Sequence, residues 1–183
     1  MKNQIRLLLL QSLFWMLLFT VNRIIFLIYY SDLLSIDNIT FNETLAVFYH
    51  AFKLDMSTFS YVLVLPFVLN IIASEKSQSF IRHFNRLYSI LVLIIYQLIS
   101  LGELQLYGEW KTKMSAKALS YLREPAEVIG STTNSGIIIS VSLFLILLAL
   151  FIFIYNRFIY VYKLKPLNFR SVFTYPYILL GAT

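Results

Sequence analysis

The chain has 183 residues, 59% of them hydrophobic and only 13% charged, and it contains no cysteine. Soluble domains carry about 25% charged residues, so the composition excludes an ordinary soluble enzyme and reads as an integral membrane protein. The missing thiols exclude a disulfide framework and a thiolate nucleophile or metal site, and the net charge of +6 does not point to nucleic acid, because the basic residues lie between apolar runs as in oriented membrane spans.

Residues 1–6 are short and basic, with Lys2 and Arg6. Leu7 to Tyr30 follows as an apolar stretch too long for a signal peptide and without its small-residue cleavage site. A bilayer core takes about 20 helical residues, so this stretch is the first span, ending in an aromatic Tyr29-Tyr30 belt. Arg23 interrupts its outer third. An arginine at mid-bilayer costs about 2.5–3.5 kcal/mol on insertion scales. It either snorkels to the outer head groups or pairs with an acid or a lipid phosphate.

Ser31 to Asp55 reads as the first outer segment. Thr40 and Glu43 have capping-box spacing, which predicts a helix from about Asn42. Leu45, Phe48 and Phe52 then share one face, so this helix is expected to lie on the membrane. Asp55 is expected either to cap the second span or to contact Arg23 or a basic residue of 111–123. Met56 to Ser74 is uncharged and makes the second span, kinked at Pro66. Glu75 to Arg86 reads as a polar turn with Lys76, Arg82, His83 and Arg86. Leu87 to Tyr107 makes the third span, with Glu103 at its far end.

The segment 101–130 is neither plainly apolar nor plainly loop. Lys113 and Lys117 fall on one helical face, with Met114, Ala118, Tyr121 and Leu122 opposite. Pro125 disfavours helix at Glu124. Residues 111–123 therefore read as an interfacial helix with a basic face suited to anionic head groups or to an acidic patch of a domain above. Arg123 is placed to hold a phosphate in bidentate fashion or to pair with Glu127. Gly136 to Tyr155 is the fourth span. Asn156 to Arg170 is a basic loop, and Ser171 to Thr183 reads as the start of a fifth, outward-running helix.

With the amino terminus in the cytoplasm, the inner segments hold nine of the fifteen basic residues and only Glu75 of the nine acids. The positive-inside rule favours that orientation. The predicted fold is an all-α membrane bundle of four full spans, a truncated fifth and two interfacial helices. Within the spans only Arg23 and Glu103 are ionisable, and both lie near one surface, which argues for a surface task over a transport pathway. A free-standing transporter subunit or a scaffold is the competing reading.

Arg23 late in the first helix, the sequence FKLDMS leading into the second, and the charged aromatic segment YGEWKTKMSAKALSYLREPAE together carry a resemblance. With five spans, the last outward, the chain resembles the amino-terminal membrane domain of lipoteichoic-acid-synthase-like proteins, sulfatase-like transferases and hydrolases of the alkaline phosphatase superfamily. The resemblance implies a bacterial cytoplasmic membrane location. It also implies an extracytoplasmic catalytic domain after residue 183, binding a divalent metal and acting on phosphate or sulfate esters. Residues 1–183 match none of that domain's motifs, so no catalytic residue, metal ligand or cofactor site is expected in them. The implied partners are membrane lipids, a lipid-linked anionic substrate and the chain's own carboxy-terminal domain, with no nucleic acid. The residues expected to dock a head group or that domain are Arg23, Asp55, Glu103, Lys113, Lys117 and Arg123.

Overall fold

The computed structural model describes residues 2–32, 40–73, 76–110 and 134–161. These form four long helices, α1 (Lys2–Tyr29), α2 (Phe41–Ile72), α3 (Gln78–Trp110) and α4 (Asn134–Ile154), the last running into a π-helical segment, Tyr155–Tyr160. All four are long and apolar enough to cross a membrane. The expected fifth helix and the basic interfacial helix over 111–123 lie outside the described residues.

Side-chain contacts fix the directions of the helices. Arg23, late in α1, meets Asp55, in the first half of α2. Asn85 of α3 meets Asn70 near the end of α2, and Gln105 of α3 meets Ser140 near the start of α4. Each successive helix therefore runs antiparallel to the last, and the π-helical end of α4 packs back on α1. This is the up-down-up-down order of an antiparallel helix bundle.

The core is built on α1. Leu7, Phe14, Trp15, Leu18 and Phe19 are buried there, at the alternating three- and four-residue spacing that keeps one face of a helix turned inward. Phe14 packs edge-on against Phe151 and Tyr155, while Phe59, Leu63 and Leu93 complete the cluster. The opposite faces expose Leu9, Leu13 and Leu17 on α1, Leu87, Leu91 and Ile95 on α3, and Ile138, Leu145 and Phe153 on α4. So extensive an apolar coat suits lipid, not water.

Three helix boundaries differ from the sequence expectation. The capping box forms as predicted: the Thr40 backbone N–H donates to the Glu43 carboxylate at 2.7 Å, and the Glu43 N–H donates to the Thr40 hydroxyl. The helix it starts does not end at Asp55, however. It continues unbroken through Ile72, so the expected outer amphipathic helix and second span are one element. At 32 residues it is about 48 Å long, well beyond the ~30 Å hydrocarbon core. Likewise α3 begins at Gln78, inside the stretch expected to be a polar turn. Residues 155–160 are π-helical, although the basic loop is expected to open at Asn156.

Pro66 lies inside α2 and is fully buried. Lacking an N–H, it leaves the carbonyl four residues back without its helical donor. That carbonyl belongs to Val62, and the Tyr88 hydroxyl of α3 donates to it at 3.3 Å. A neighbouring helix thus supplies the hydrogen bond that the proline removes, as the apolar phase requires.

Candidate functional site

Arg23 sits about 9 Å before the end of α1, taking 1.5 Å per residue to Tyr29. Its two terminal nitrogens donate to the two carboxylate oxygens of Asp55, each at 3.0 Å. Both side chains are largely buried, with 19% and 12% exposure. The planar guanidinium fork matches a carboxylate in this arrangement, and the pair removes the net charge that would make either group costly at that depth.

The Phe48 ring flanks the guanidinium, 5.6 Å from its central carbon, which adds a cation–π contact. Phe48 and Asp55 are seven residues apart, two turns on one helical face. They converge on Arg23 because α2 runs straight through Asp55. The expected N-cap role for Asp55 is therefore not realised: its carboxylate lies mid-helix and is satisfied by α1.

Uncharged polar groups extend the site across the bundle. Asn22, next to Arg23, donates to the Leu18 carbonyl at 2.9 Å and accepts from the Ser100 hydroxyl of α3 at 3.0 Å. Gln97, one turn before Ser100, is buried, and its Nε2 has no hydrogen-bond acceptor. The two residues border a cavity of about 20 Å³ between α1, α3 and α4, also lined by Ile25, Leu104 and Leu147, a volume on the scale of a single water. Gln105 and Ser140 join α3 to α4 side chain to side chain. The Tyr30 hydroxyl donates to the Leu104 carbonyl. The rings of Phe26, Tyr30 and Tyr107 close this end, with centroids 5.0 Å apart.

Of the six residues expected to form a docking surface, Arg23 and Asp55 come together. Glu103 lies half-buried on α3 at the same end, one residue before Leu104, while the carboxylate on Arg23 is that of Asp55. Lys113, Lys117 and Arg123 lie outside the described residues. Asn22, Gln97, Ser100, Gln105 and Ser140 are absent from the sequence expectation, which followed charge. For Gln97 the signal is a polar stripe on one face of α3, with Asn85, Ser89 and Gln97 four and eight residues apart and all buried.

A second polar cluster occupies the opposite end. The His83 Nδ1 lies 2.7 Å from the Ser79 carbonyl oxygen, and its Nε2 lies 3.0 Å from the Tyr160 hydroxyl. A carbonyl only accepts, so in the neutral ring Nδ1 carries the proton and Nε2 accepts from tyrosine. Arg82 and Arg86 both lie over the Tyr160 ring. Among the described residues, no group of three His, Cys, Asp or Glu side chains is placed to hold a metal ion. No protein-family model, curated protein or solved structure matches the chain.

Proposed function

We propose that the bundle is the membrane platform of a sulfatase-like, lipoteichoic-acid-synthase-like phospho- or sulfo-ester transferase or hydrolase of a bacterial cytoplasmic membrane. Its task is to anchor an extracytoplasmic catalytic domain and to position it over a lipid-linked anionic substrate. The divalent metal and the nucleophile belong to that domain. The supporting observation is the Arg23–Asp55 pair. It locks α1 to α2 at the end of the bundle that also holds residues 101–110. Ionisable side chains of the described spans gather at the two ends, with Arg23, Asp55 and Glu103 at one and Arg82, His83 and Arg86 at the other. A platform needs this distribution, whereas a transport pathway calls for ionisable groups along its length.

In this reading the amino terminus is cytoplasmic. Residues 111–123 form an interfacial helix whose Lys113, Lys117 and Arg123 face a head group or the catalytic domain, and a fifth helix from about Ser171 runs outward to that domain. The reading frame beyond codon 183 is the first test. Several hundred further residues, with clustered aspartate and histidine ligands and a threonine or serine nucleophile, support the platform. A stop codon there returns the bundle to the free-standing reading, as a transporter subunit or scaffold.

A further inference from the structure

The end of the bundle away from Arg23 holds two arginines that the platform does not use. Arg82 and Arg86 are one helical turn apart on α3 and share a single aromatic ring, that of Tyr160, with guanidinium carbons 5.5 and 4.7 Å from its centroid. Among the described residues no carboxylate pairs with either; Asp55, which pairs with Arg23, lies at the opposite end. The Nε of each is buried without a hydrogen-bond acceptor.

Two cations held on one ring repel each other, and among the described residues no carboxylate offsets either charge. A buried N–H without an acceptor adds its own desolvation cost. One anion with several acceptor oxygens answers all three. Phosphate is the group that guanidinium forks fit best. The helices at this end expose Phe84 and Leu87 of α3, and Phe158 and Val161 on either side of Tyr160 in sequence, apolar faces that in a spanning bundle turn to lipid. The anion at hand for arginines in such surroundings is a lipid head group.

We propose that Arg82, Arg86 and Tyr160 form a binding site for the phosphate of an anionic glycerophospholipid in the leaflet at this end of the bundle. Basic pockets between spanning helices hold such head groups by this chemistry. The site depends on charge and geometry at this end and holds for either orientation of the chain.

The test uses the full chain, purified in a neutral detergent and titrated with dioleoylphosphatidylglycerol, with dioleoylphosphatidylcholine or with inorganic phosphate, occupancy being read by native mass spectrometry. The expected result is at least tenfold tighter retention of phosphatidylglycerol than of phosphatidylcholine, undiminished by millimolar inorganic phosphate. The pair Arg82→Gln with Arg86→Gln weakens that retention about thirtyfold, taking two basic contacts at the usual strength, while Lys53→Gln at the opposite end leaves it unchanged. Should the double glutamine variant not fold, Arg82→Lys with Arg86→Lys keeps the charge, loses the forks and ring contact, and lowers retention by a smaller factor. Equal retention of the two lipids, or wild-type retention by a folded double variant, overturns the proposal. Displacement of the lipid by inorganic phosphate reassigns the site to the free ion and overturns the lipid assignment.

Discussion

Arg23 and Asp55 are 32 positions apart in the chain and joined by two parallel hydrogen bonds of 3.0 Å between α1 and α2. Deleting one partner strands the other's charge, whereas deleting both leaves only a packing adjustment. Asp55→Leu alone is expected to destabilise the bundle by about 3 kcal/mol, and Arg23→Leu with Asp55→Leu to recover most of that loss. A double-mutant cycle of unfolding in mixed micelles measures the coupling. A coupling below about 0.5 kcal/mol, the level of an exposed pair, removes the clamp from the fold.

Tyr88 and Pro66 are expected to be coupled although they do not bond to each other. Tyr88→Phe leaves the Val62 carbonyl without a donor, at a cost of about 1–3 kcal/mol. In a Pro66→Ala background the helix supplies its own N–H, and Tyr88→Phe becomes nearly neutral. The same unfolding measurement decides it, and equal costs in the two backgrounds refute the assignment.

Leu17 and Leu18 are adjacent on α1 and opposite in environment, at 47% and 0% exposure. Leu18→Ala opens a cavity beside Trp15 and is expected to cost about 2–5 kcal/mol. Leu17→Ala faces lipid and costs under about 0.5 kcal/mol, as substitutions away from packed sites do. Reversed magnitudes mean that α1 is rotated in the bundle.

Because the chain has no cysteine, single thiols report topology without background. A thiol at Asn42 is expected to label from outside intact cells, and one at Ser79 only after permeabilisation. Labelling in the opposite pattern inverts the bundle.

The platform reading also predicts a kinetic signature. Each basic residue near an anionic surface contributes about 1 kcal/mol. In the full-length enzyme, Lys113→Ala, Lys117→Ala and Arg123→Ala together are expected to raise KM for a lipid-linked substrate about a hundredfold at low salt. The rise shrinks at high salt, with kcat little changed. Unchanged kinetics in a folded triple variant reduces the segment to a connector.

The four spans were legible because a bilayer demands a long apolar run, and such runs are visible by eye. The Arg23–Asp55 contact was only one of the alternatives the sequence left open, beside snorkelling of Arg23 and an N-cap by Asp55, because a cation in an apolar run can be satisfied by an acid, a lipid phosphate or the head-group region. Charge was a poor guide to where helices start and stop. Asp55 and the charged residues before Leu87 end the uncharged runs, yet backbone hydrogen bonding continues past both, so α2 and α3 extend beyond their apolar runs. The buried Asn22, Ser89 and Gln97 were invisible to a count of charges, because a neutral amide or hydroxyl barely disturbs an apolar average. The Tyr160 cluster needs the geometry of α4, whose π-helical turn no composition reveals.

The unbroken length of α2 has a mechanical consequence. No proline or glycine interrupts it between Phe41 and Asp55, and that part alone is about 21 Å of rigid rod. Whatever grips its amino-terminal tip holds a lever whose fulcrum is the Arg23 contact. A twist applied at Thr40 reaches the carboxylate of Asp55 undamped, and the guanidinium, locked in plane by its two bonds, acts as the detent that resists it.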